Sequence, residues 1–203
     1  MKALLGRDSV SPDKRDNCGR TPLHHAAWRG FEGALKILLG RDGVSPDTLD
    51  NSGRTPLWWT ARKGQEEVAK ILLGRNDVNP DKSNNDGQTL LWGAASNGRE
   101  GVVKILLARD DVNPDKQNIN GRTPLYIAAW NKQDGVVKIL LRRDDVNPNN
   151  KITTAKHHFS LVRAMGVKEW LKCYSNETTL TPTSQISRVE LHCVLLLVMD
   201  KRG

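Results

Sequence analysis

Glycine returns at positions 19, 53, 87 and 121, and each time it opens a related block: "GRTPLHHAAWRG", "GRTPLWWTARKG", "GQTLLWGAASNG" and "GRTPLYIAAWNK". The interval is 34 residues every time, and each block leads into a second apolar stretch: "ALKILLGRDGVSPD", "VAKILLGRNDVNPD", "VVKILLARDDVNPD" and "VVKILLRRDDVNPN". A fixed period between about 20 and 50 residues marks stacked modules. A unit of this size buries too little surface to stand alone, so each copy depends on its neighbours for a core. That excludes a single central core and predicts an elongated array.

Within a copy, residue types assign the elements. Thr21, Thr55, Thr89 and Thr123 are placed to cap a helix, the side-chain oxygen accepting an unpaired backbone N–H. Pro22, Pro56 and Pro124 follow at the first helical position, where the missing N–H costs nothing. Leu90 replaces the proline in the third copy. Paired alanines such as Ala26, Ala27, Ala94 and Ala95 let helices approach closely, and Gly30, Gly64 and Gly98 supply the left-handed residue that ends the helix. Lys132 stands at the fourth such position and is predicted to be strained by about 1 kcal/mol. A second helix carries an apolar stripe (Leu35, Ile37, Leu38 and Leu39, then Val68, Ile71, Leu72 and Leu73) at spacings that share a face. Each helix is expected to run about nine residues, roughly 13 Å, too short to be stable in isolation.

The neighbouring imidazoles of His24 and His25 invite a metal or general-base reading. In register, however, His24 aligns with Trp58, Trp92 and Tyr126, and His25 with Trp59, Gly93 and Ile127. Adjacent helical residues point about 100° apart and do not converge on one ligand. The pair is therefore read as architecture.

"TPLHHA" at residues 21–26 fits the signature T-P-L-H-x-A, and on it the chain resembles the ankyrin repeat. The resemblance runs from about Ser11 to Pro148. It implies an all-α ankyrin-repeat solenoid of stacked helix-turn-helix modules with projecting hairpin turns. The modules fall at 19–52, 53–86, 87–120 and 121–148, after a partial repeat at 1–18 that supplies only a second helix and hairpin. The extra residue per module lies after "LL", as "RDD" or "RND". With "VNPD" following, this variant is similar to the ankyrin arrays of large fungal proteins of the nucleotide-binding receptor type. The resemblance also implies that the motif histidine bonds toward the next module's turn. Only His24 matches, so that link is expected once, with aromatic packing taking its place elsewhere.

Both ends depart from the period. "MKALLGRDSVSPDKRDN" aligns with a second helix and hairpin, which leaves the first full module without a polar cap; a fragment of a longer protein is the expectation. From Asn149 the repeat is lost. Two readings stand for the tail, 149–203: a helical cap on the array, and an aberrant extension. Its apolar run from Leu191 to Met199 is far short of the roughly 20 residues of a membrane span.

The formal net charge of +8 raises nucleic acid as a partner. Residues 1–150 carry 23 basic and 19 acidic side chains, and the tail carries 8 and 4. In the array, Lys and Arg alternate with Asp in "RDD" and "NPDK", which reads as a solvated surface rather than a phosphate track. No Gly-rich phosphate loop, zinc spacing or nucleophile elbow occurs, so no enzymatic activity, cofactor, metal or small-molecule substrate is expected. Three cysteines without metal spacing, and no basic-plus-apolar leader, argue for an intracellular protein, cytoplasmic or nuclear.

What remains is a binding surface. In the family, contacts come from hairpin tips and the inner face of the first helix. By position these are Arg20, Trp28 and Arg29 in the first full module, and Arg54, Arg62 and Lys63 in the second. The third offers Gln88, Ser96 and Asn97, and the fourth Arg122, Trp130 and Asn131. Arg and Trp are enriched in binding hot spots, so the row is expected to meet an acidic or aromatic-rich protein surface. A solvated repeat feature is the plainer reading of the arginines, and a nucleic-acid-associated protein or a truncated receptor-like fragment the alternatives.

Overall fold

The computed structural model describes residues 11–147. Eight short helices follow one another in pairs, and no strand occurs among the described residues. The pairs are α1 (Pro22–Arg29) with α2 (Glu32–Leu39), α3 (Pro56–Lys63) with α4 (Glu66–Leu73), α5 (Leu90–Ser96) with α6 (Glu100–Leu107), and α7 (Pro124–Trp130) with α8 (Asp134–Leu140). First helices pack in a row, α1 on α3 on α5 on α7, and second helices form a parallel row. This is the expected all-α stack. The partial repeat expected at residues 1–18 is described only from residue 11, and the tail at 149–203 lies outside the described residues.

The helices hold seven or eight residues, slightly fewer than expected, because cap and stop residues sit close together. Thr55, Thr89 and Thr123 accept the backbone N–H of Trp58, Trp92 and Tyr126 at 3.1–3.2 Å. At the first module the histidine joins in. The Thr21 N–H donates to His24 Nδ1 at 3.1 Å, closing a reciprocal capping box. At the other end, Gly64 adopts φ +74° and packs against Arg99 of the next module. Lys132 takes φ +58° at the equivalent site, the only described non-glycine residue with positive φ.

The core is a repeated leucine column. Leu23, Leu57, Leu91 and Leu125 on the first helices, and Leu38, Leu72, Leu106 and Leu140 on the second, are essentially inaccessible. Each such burial is worth roughly 1.5–3 kcal/mol relative to exposure. Because the flanking side chains belong to adjacent modules, this stabilisation exists only in the stack.

The connectors overturn one expectation. Their alternating charges are not a freely solvated surface, because they bond module to module. Arg75, Arg109 and Arg143 each grip an aspartate two residues on (Asp77, Asp111, Asp145) through two hydrogen bonds of 2.7–2.8 Å. Each aspartate's carboxyl is held below its ordinary pKa by that hydrogen bond. Arg109 and Arg143 also donate to the carbonyls of Leu73 and Leu107, the last residues of α4 and α6 one module back. A cation there complements the negative end of the helix dipole. In "SPDT" and the two "NPDK" segments, Asp47, Asp81 and Asp115 accept the backbone N–H of Asn79, Asn113 and Asn147 at 2.8–3.1 Å. Lys82 and Lys116 return to the carbonyls of Asp47 and Asp81 at 2.9 and 2.6 Å. The residue that lengthens the period to 34 falls within this clamp. The first connector keeps the Asp47 bonds but lacks the arginine–aspartate grip, because Gly43 replaces the aspartate.

Candidate partner-binding face

Short turns at residues 16–20, 50–54, 84–88 and 118–122 set the base of this face. In each, the first residue donates to the fifth, as Asp50 does to the Arg54 carbonyl at 2.9 Å. The side-chain oxygen of Asp16, Asp50, Asn84 or Asn118 then accepts the N–H groups two and four residues on, at 2.8–3.0 Å. At Asp16 the Arg20 N–H is the main reason its carboxyl sits below the ordinary range. Neighbouring tips join through backbone bonds from Asn51, Asn85 and Ile119 to Cys18, Ser52 and Asp86 at 2.9–3.1 Å. The side-chain amides of Asn51 and Asn85 extend the ladder to the carbonyls of Asn17 and Asn51. Ile119 cannot continue it, and its side chain stands exposed.

The two histidines serve this frame. His24 is 1% exposed. Its Nδ1 receives the Thr21 N–H, so in the neutral ring the proton is on Nε2 and donates 3.0 Å to the Arg54 carbonyl of the next module. Burial pushes its pKa down, with the Arg54 bond opposing. His25 diverges and pairs with Asp16 at 3.0 Å. Among the described residues no group of three His, Cys, Asp or Glu side chains is placed to hold a metal ion.

The link from His24 is not repeated in the second and third modules. Trp58 and Trp92 occupy its slot, and their buried indole N–H groups have no acceptor. Packing substitutes for polarity, as expected. The Trp58 ring lies over Gly93, where an added Cβ would sit 3.7 Å from the indole.

The replacement builds an aromatic cluster across α1 and α3. Trp59 makes edge-on contacts with Trp58 at 5.5 Å and Trp28 at 6.2 Å between centroids. Around these rings stand the sequence-predicted cations. Arg20 and Arg62 lie 4.6 and 5.7 Å from the Trp59 centroid. Arg54 lies 4.5 Å from Trp58, and Arg29 and Lys63 lie 5.5 and 5.6 Å from Trp28. Such contacts are worth about 0.5–2 kcal/mol each, which offsets part of the mutual repulsion of clustered cations. Arg20, Trp28, Trp59, Arg62 and Lys63 line a shallow pocket of about 190 Å³. Among the described residues none of these five cations pairs with a carboxylate within 4 Å. The Nε groups of Arg20 and Arg54 are buried without an acceptor.

Toward the far end the remaining predicted residues are differently engaged. Gln88 accepts from Asn84 at 3.1 Å and Asn97 bonds the Gly93 carbonyl at 2.8 Å. Asn131 donates to both the carbonyl and the hydroxyl of Ser96, at 2.8 and 3.0 Å. Arg122 approaches Tyr126 at 5.4 Å, and Trp130, 40% exposed, stacks on Tyr126 with centroids 6.2 Å apart. The twelve predicted residues thus divide. Six gather around the Trp28–Trp58–Trp59 cluster, and six lie over the third and fourth modules. Trp59 was missed because its register partners His25, Gly93 and Ile127 suggest a packing slot. The signal available was three tryptophans spaced one and 30 residues apart in equivalent helices.

Residues 1–84 and 61–152 each match the family described as ankyrin repeats (3 copies). No curated protein matches the chain.

Proposed function

The chain belongs to the ankyrin-repeat family, and we propose that it is a non-catalytic protein-interaction scaffold whose partner binds the concave face of the array. The supporting observation is the fate of its charges. Connector arginines are engaged by aspartates and helix-end carbonyls, whereas the charged groups of Arg20, Arg29, Arg54, Arg62 and Lys63 gather around tryptophans with no carboxylate within 4 Å of them among the described residues. Cations beside partly open aromatic surface are the chemistry of binding hot spots. The contact residues are Arg20, Trp28, Arg29, Arg54, Arg62 and Lys63, with Gln88, Ser96, Asn97, Arg122, Trp130 and Asn131 extending the footprint along later modules.

A protein partner fits better than nucleic acid. The positions equivalent to Arg62 and Lys63 are Ser96 and Asn97 in the third module and Trp130 and Asn131 in the fourth, so the charge does not run on as a phosphate track. No helix among the described residues is long and apolar enough to cross a membrane. The "RDD…VNPD" connector supports a role as the recognition segment of a larger receptor-like protein, by its likeness to the fungal arrays.

Affinity capture with the full chain, compared with Trp28→Ala and Arg62→Ala combined, tests the reading. Proteins retained by the unsubstituted chain should be lost from the double variant and kept by Lys104→Ala, on an exposed position of α6. Identical capture by all three would remove the proposed face.

A further inference from the structure

We infer that the pocket between α1 and α3 recognises a carboxylate of an acidic peptide segment, seated among Arg20, Arg62 and Lys63 with its flanking apolar atoms against Trp28. This inference rests on the interaction-scaffold reading and narrows its partner. The argument begins with unmet demand. Three cations line one pocket with Trp28 and Trp59, and among the described residues none pairs with an acidic side chain. Arg20 adds a buried Nε–H with no acceptor. A guanidinium donates through a planar fork that matches a carboxylate's two oxygens. An arriving carboxylate therefore relieves the like-charge crowding and supplies an acceptor for the exposed Arg62 and Lys63 heads.

The same geometry disfavours a nucleobase. Trp59 is 4% exposed and Trp58 is 8% exposed, so neither ring offers a face for stacking. Trp28 is partly open but already has Arg29 and Lys63 within 5.6 Å. The pocket, about 190 Å³, holds a side chain or two, well below the roughly 300–1,000 Å³ of sites that enclose a small-molecule ligand. One or two acidic side chains of an extended peptide match both its size and its charge.

The test uses the full chain and three fluorescent probes: a short peptide of Glu, Gly and one Leu, its Gln counterpart, and a short single-stranded DNA. Anisotropy is read at low and physiological salt. The Glu peptide is expected to bind at least about tenfold more tightly than the Gln peptide. Arg62→Gln with Lys63→Gln should weaken it about tenfold or more; both positions are exposed, and a thermal melt of the variant confirms folding. Equal binding of the Gln peptide, or no effect of the double variant, overturns the inference. So does tighter binding of the DNA, which would point to phosphate. Should the Glu peptide fail to bind while Trp28→Ala with Arg62→Ala still abolishes partner capture, the acidic occupant alone is refuted and the interaction scaffold stands.

Discussion

Arg62 and Arg109 are the same residue type in successive repeats, yet their electrostatic surroundings differ. Arg109 is committed, with two hydrogen bonds to Asp111 and another to the end of the preceding module's helix. Arg62 faces the Trp59 ring and has no acidic partner within 4 Å among the described residues. The connector edge uses cations to hold module to module, and the first-helix face of modules one and two leaves them unneutralised. A stack held at one edge can vary the other without loss of fold, which is how one scaffold serves many surfaces.

Trp59 is where the two roles meet, so its removal should have the largest effect. It is buried, donates to Asp50 at 3.2 Å and supports two other tryptophans. Trp59→Ala should cost about 3–5 kcal/mol in urea unfolding and also erase the pocket. A loss below about 1 kcal/mol would show that the cluster is not part of the core.

The next effect depends on pH. Burial lowers the pKa of His24 from its ordinary 6.5, so below 6.5 the unfolded chain takes up a proton that the folded chain refuses. Stability is whole above that value and declines as pH falls through it, by at most about 1.4 kcal/mol per pH unit. His24→Gln should flatten the decline in melts between pH 7.5 and 5. An unchanged slope would place the titration elsewhere.

Smaller changes test the less regular stretch around the start of the fourth module. Lys132→Gly removes the left-handed strain at φ +58° and should stabilise by about 1 kcal/mol. Ile119→Asn should restore the amide ladder broken at the last hairpin and add roughly 0.5 kcal/mol. Losses in either melt would mean that those residues make contacts worth more than the repeat pattern they interrupt.

These contrasts also show what was readable in advance. Threonine, proline and glycine act on their own backbone, so helix starts and stops followed directly from residues such as Thr55, Pro56 and Gly64. The leucine columns followed from spacing. The connector bonds did not, because Lys82 reaches Asp47 and Arg109 reaches Leu73 across 35 and 36 residues; locally they look like alternating surface charge. The six sequence-predicted residues on modules one and two converge, since register positions lie above one another in a stack. That Ser96 and Asn131 would bond each other was hidden for a similar reason: either amide or hydroxyl reads locally as a free polar contact. Trp59 was obscured by alignment with His25, Gly93 and Ile127, which share no binding chemistry with it, although its neighbours Trp28 and Trp58 were in plain view.

The division between the two edges is tested most directly by measuring Arg62→Ala and Arg109→Ala side by side, each for unfolding free energy and for partner capture. Arg109→Ala should lose about 1–2 kcal/mol, chiefly from the carbonyl tie and less from its half-exposed ion pair, and should still bind. Arg62→Ala should unfold within about 0.5 kcal/mol of the unsubstituted chain and lose its partner. If Arg62→Ala unfolds the array, or Arg109→Ala abolishes capture while leaving stability intact, the separation of holding charges from binding charges is contradicted.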